Sequence, residues 1–140
     1  MNQLIVALLF LLSWSTVASA QQVRELNLKG TTNMRPIAVD PSGVVVHLKN
    51  GDKIQGLSLQ PPNQIELYPL DGQLCTGVKQ CKGQAPSMLQ LTRVRPKNIK
   101  GKLSNSDGSS MLVIVTNSGA KHVLFLVPTS RAKYQVVNIN

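Results

Sequence analysis

The chain has 140 residues, with 15 Lys and Arg against 6 Asp and Glu, for a formal charge of +9 at pH 7. After the first twenty residues about 120 remain, room for one domain with one core and not for a multidomain enzyme. The charge balance excludes no fold; it favours polyanionic neighbours such as nucleic acid, anionic lipid or acidic polysaccharide, and it also serves plain solubility in an exported protein.

Leu4 to Leu12 is an apolar run of signal-peptide length, and Val17-Ala18-Ser19-Ala20 ends in the small-x-small pattern that signal peptidase accepts. The expected mature chain therefore starts at Gln21 and is exported, either periplasmic or secreted. No Lys or Arg precedes the apolar run. An uncleaved anchor would need ~20 apolar residues, whereas Ser13, Ser15 and Thr16 cut this run short. No further stretch of the mature chain reads as a transmembrane segment, and no Cys stands at the cleavage site to make a lipoprotein.

Arg24 to Lys29 alternates, with Leu26 and Leu28 on one face, and predicts a short half-buried strand. Met34 to Val39 predicts a second with Ile37 and Val39 inward, which Pro36 confines to an edge or a bulge. Asp40-Pro41-Ser42-Gly43 is a turn. Val44 to Leu59 predicts a hairpin whose three-residue loop, Lys49-Asn50-Gly51, pairs Leu48 with Asp52 and Val46 with Ile54. That register gathers Val44, Val46, Leu48 and Ile54 on one face.

Gln60 to Asn63 breaks the pattern, and Gln64 to Tyr68 predicts a strand with Ile65 and Leu67 inward. Pro69 to Pro86 is rich in Gly, Pro and Gln, an excursion that holds both cysteines. Cys75 and Cys81 are separated by five residues in a compartment where disulfides persist, so a local disulfide is expected, contributing about 2–3 kcal/mol on the chain-entropy account. A redox pair would more often be C-x-x-C, and zinc would need two further ligands. Met88 to Val94 returns as a strand, Gly101 to Ser110 is a polar loop, and Tyr134 to Ile139 alternates again as a last strand or a tail that orders on a partner.

The most apolar stretch beyond the leader is Met111 to Val127, two β-rich runs around Asn117-Ser118-Gly119, which predicts a hairpin. Apolar residues fill consecutive positions, so both faces seek cover. One face belongs to the core; the other, with Met111, Val113, Val115, Val123, Phe125 and Val127, is the expected docking surface.

No catalytic residues are assigned. His47 and His122 lie in strand patterns without a nearby acid or nucleophile, and each reads best as a satisfied or surface histidine. No nucleophile motif, metal-ligand cluster or phosphate loop occurs, so neither metal nor cofactor is expected. The chemical asymmetry is basic: Arg93, Arg95, Lys97, Lys100 and Lys102, joined by Lys79 and Lys82, with no acid between Asp71 and Asp107. Along a strand Arg93 and Arg95 would share one face. Aromatics for base stacking are distant, so this ridge suits non-specific contact with DNA or an acidic glycan, or it is simply solvated.

Short strands every 8–12 residues, with no stretch that makes a three-turn helix, predict an all-β domain over 21–128, an antiparallel β-sandwich or partly open barrel, followed by 129–140 as a strand or tail. Several pieces together resemble the N-terminal β-sandwich domain of the periplasmic outer-membrane-complex component of conjugation and type IV secretion systems. They are Leu26-x-Leu28-x-Gly30 with Ile37, then Asn50-Gly51-Asp52-Lys53-Ile54, then Leu89-x-Leu91 with Pro96, then Leu112 to Thr116 with Val123 to Val127 behind. The resemblance spans most of Val23 to Val127. The chain departs from it in the Cys75–Cys81 insertion, and in the last strand, where Val123, Leu124 and Phe125 stand without the usual aromatic residue of the family. The second domain through which that family assembles has no counterpart. What the resemblance implies is an exported adaptor or accessory of an envelope protein complex, with polyanion binding through the basic ridge as the alternative.

Overall fold

The computed structural model describes residues 22–27, 33–62, 64–74, 83–96 and 105–140. Nine strands form among them: β1 (Val23–Leu26), β2 (Asn33–Val39), β3 (Val44–Leu48), β4 (Ile54–Gln60), β5 (Ile65–Pro69), β6 (Met88–Arg93), β7 (Ser110–Thr116), β8 (Lys121–Pro128) and β9 (Val136–Ile139). They build a five-stranded sheet, β1-β9-β3-β6-β5, and a four-stranded sheet, β2-β8-β7-β4. The described residues contain no helix. The domain is all-β and sandwich-like, as the strand spacing predicts.

Period-2 patterning makes the core. Val44, Val46, Leu48, Leu89, Leu91, Val137 and Ile139 face inward from the larger sheet; Ile37, Val39, Ile54, Leu112, Ile114, Leu124 and Leu126 meet them from the smaller, and all are buried in one cluster. Burying a side chain of this size stabilises by about 1.5–3 kcal/mol relative to exposure, so this shared interior holds the two layers together. The expected edge role of Pro36 is seen: β2 ends its sheet, and its register on β8 shifts between Asn33 and Ile37. A residue without an N–H is tolerated in such a place.

Two expectations are corrected. The sheets are mixed and not wholly antiparallel, because β9 runs parallel to both β1 and β3, and β2 runs parallel to β8. The predicted Val44–Leu59 hairpin does not form. Asn50 (φ 62°) and Gly51 (φ 78°) do turn the chain in the left-handed region, but β3 and β4 part into different sheets. Both edges of β3 are taken, since Val46 lies between Leu89 of β6 and Val137 of β9, while β4 pairs with β7, Leu57 opposite Ile114. Val44, Val46, Leu48 and Ile54 still share the core, from opposite layers.

The Asp40 turn ties one end of the sandwich. Its Oδ1 accepts from Ser42 N (3.0 Å), Ser42 Oγ (2.6 Å) and Gly43 N (3.0 Å), and its Oδ2 from Ala132 N (2.8 Å). Its carbonyl accepts from Arg93 N at 3.1 Å. Gly43 supplies the left-handed backbone (φ 95°) that an L side chain rarely adopts. Burial works to raise the Asp40 carboxyl, and the donors from Ala132, Ser42 and Gly43 outweigh it and hold the group below its ordinary value.

Candidate docking face

The β7–β8 hairpin forms where predicted. Thr116 N donates to Ala120 O (2.9 Å) and Gly119 N to Thr116 O (3.0 Å) across the turn. Gly119 supplies the positive φ, at 83°. The register sets Met111 opposite Phe125, Val113 opposite Val123 and Val115 opposite Lys121. Because Leu112, Ile114, Leu124 and Leu126 point into the core, alternation turns Met111, Val113, Val115, Val123, Phe125 and Val127 to the outer face. On β4 that face is continued by Gln60, Ser58 and Gly56, opposite Met111, Val113 and Val115. Ala38 of β2 lies beside Val127.

What covers the outer face turns on the C-terminal segment. Strand β9 lies in the other sheet, between β1 and β3, so Tyr134 to Ile139 does not fold back over the hairpin. Met111 and Phe125 remain 41% and 37% exposed, the four valines only half-buried.

The basic residues are arranged differently from the expected ridge. Strand β6 ends at Arg93, so Arg95 stands exposed beyond the strand and does not continue a face with it. The remaining residues of the expected patch, Lys79, Lys82, Lys97, Lys100 and Lys102, lie outside the described residues, as do Cys75, Cys81 and the leader. Through Asp40 the fold brings up two cations that the sequence reading missed, Arg131 and Lys133, which flank Ala132. No local signal points to them, since residues 92 positions apart meet there. At the opposite end the acids are occupied: Glu25 pairs with Lys49 at 3.1 Å, and Asp71 accepts from Ser87 and Met88 N with Lys53 at 3.9 Å.

The two histidines differ. His47 is half-buried on β3, opposite Met88 and Asn138. His122 is buried on the inner face of β8 opposite Ile114, and its Nδ1 has no hydrogen-bond partner among the described residues. It is neither a surface nor a fully satisfied histidine, which corrects the expectation. Burial pushes its pKa below the usual 6.5, with the charge of Asp52 opposing. No group of three or more His, Cys, Asp or Glu among the described residues is placed to hold a metal ion.

No protein-family model and no curated protein matches the chain. The resemblance to the secretion-system domain therefore rests on its short motifs alone.

Proposed function

We propose that the protein is an exported, non-enzymatic β-domain that docks through the outer face of β7–β8 on a protein complex of the cell envelope, of the secretion, pilus or DNA-transfer type. The observation that carries this reading is the part-exposed apolar face, on which β9 does not fold back: Met111 and Phe125 at its centre, half-buried valines on both sides, and Gln60 and Ser58 along its β4 border. An apolar centre with Met and an aromatic, bounded by polar side chains, is the usual anatomy of a protein interface. The leader pattern and the motif resemblance supply the envelope setting.

Site-specific photo-crosslinking in native envelopes tests it. A crosslinker in place of Phe125 is expected to trap one defined component of a membrane complex, and one in place of the exposed Gln55 to trap none. Phe125→Glu is expected to abolish co-purification of that component while changing folding stability by less than about 1 kcal/mol, as surface substitutions do. A freely diffusing monomer that crosslinks to nothing would overturn the reading.

A second reading, polyanion binding, is favoured by the cations around Asp40: Arg93, Arg95, Arg131 and Lys133. Its carboxylate is already engaged by its own turn and by Ala132.

A further inference from the structure

Strands β1 and β2 end their respective sheets on the same side of the sandwich. Between them opens a cleft of about 130 Å³, lined by Arg24, Pro36, Ala38, Lys133 and Tyr134 and floored by the core residues Ile37 and Val137. Arg24 lies two residues before buried Leu26 and opposite Val137, so alternation directs it toward the space between the layers. Its Nη1 donates to the Pro36 carbonyl at 3.1 Å, bridging the sheets, and its guanidinium carbon sits 5.8 Å from the centre of the Tyr134 ring. Lys133 Nζ stands 5.4 Å from the same ring centre.

Two cations thus converge on one aromatic ring in a cleft with no acidic residue in its lining. The neighbouring acids are committed elsewhere: Glu25 accepts from Lys49, Asn138 and Asn140, and Asp40 from Ser42, Gly43 and Ala132. A guanidinium carries five N–H donors in a planar fork that matches a carboxylate, and among the described residues one of them goes to Pro36. A cleft of about 130 Å³ is of a size for a carboxylate with a short aliphatic stem.

We propose that this cleft binds a carboxylate carried on a short apolar stem, the charge held by Arg24 and Lys133 and the stem by Pro36 and Ala38. A free aliphatic acid and the C-terminal residue of a protein chain share that chemistry. The site needs nothing on the outer face of β7–β8 and stands if the docking reading falls.

Titration of the full chain, followed by amide ¹H–¹⁵N shifts, tests it with hexanoate and N-acetyl-leucine against hexanamide and N-acetyl-leucinamide. Saturable shifts at Arg24, Ile37 and Tyr134 are expected with at least one acid and with neither amide. Lys133→Gln is expected to weaken binding at least about tenfold, the scale of one charge-assisted contact, and the control Lys121→Gln, on the turn end of the β7–β8 hairpin, to leave it unchanged. Tighter hexanoate identifies a free acid as the ligand; tighter N-acetyl-leucine identifies a chain terminus. No saturable shift by about 10 mM, a range that covers millimolar affinity, would overturn the proposal. So would equal shifts with the amides or undiminished binding by Lys133→Gln.

Discussion

His122 sets an imidazole where the alternation of β8 asks for an apolar side chain, in line with Leu124 and Leu126 on the inner face. Parity alone places it inward and is legible in the sequence; the empty Nδ1 is not, because partners in the opposite layer decide it. With its folded pKa below 6.5, the unfolded chain takes up the proton first as pH falls. The stability that depends on neutral His122 is therefore complete above pH 6.5 and is lost as pH drops through the folded value. We expect His122→Leu to stabilise by about 1 kcal/mol at pH 7, by removing an unpaired buried polar atom. That gain should widen toward pH 5, as read from urea midpoints; a gain that does not change with pH would sink the idea. Asp40 and Asp71 act in a separate window. Both lie below 3.8 in the fold, where burial is outweighed by their donors, so their contribution is present above 3.8 and is lost only under stronger acid.

At the scale of elements, the inward residues of several strands were legible and several of the pairings were not. Alternation depends only on neighbours along the chain, so Ile37, Val39, Ile65 and Leu112 are placed correctly from sequence. Pairing depends on which edges are free. The Lys49–Gly51 loop suits a hairpin, yet β6 and β9 occupy both edges of β3 and leave β4 to the other sheet. Strand β9 is decisive and was the least legible: Val136 to Ile139 alternate as an edge or tail would, and nothing local says that they lie between β1 and β3. Parallel partners joined by long connections leave no turn signature. Val137 and Ile139 are fully interior, and β9 supplies the sole pairing of β1 among the described residues. Truncation after Arg131 should therefore abolish cooperative unfolding in a circular-dichroism melt. A sharp transition retained within about 5 °C of the full chain, a shift of roughly 1 kcal/mol for a domain of this size, would show that β9 is peripheral.

At the scale of the whole molecule, the fold sorts charge by end. Lys49 and Lys53 meet Glu25 and Asp71 where β1 and β3 finish. Backbone bonds from Arg93 and Ala132 to Asp40 bring Arg93, and Arg131 and Lys133 on either side of Ala132, to the end where β2 and β6 finish, with Arg95 two residues beyond. The sequence shows the excess of base and the cluster after Arg93, but the junction of that cluster with Arg131 and Lys133 requires the Asp40–Ala132 bond, which no spacing announces. If the polyanion reading holds, each phosphate such an end neutralises adds to the steepness with which affinity falls as salt rises. Replacing Arg93, Arg95 and Arg131 together by Gln is expected to lower the salt needed to elute the protein from heparin and from duplex DNA. The slope of log affinity against log salt should fall by roughly one for each phosphate no longer neutralised. Lys121→Gln, on the turn end of the β7–β8 hairpin, controls for the bulk change in charge: if it lowers retention as much per charge removed, the effect belongs to net charge and the basic end has no special role.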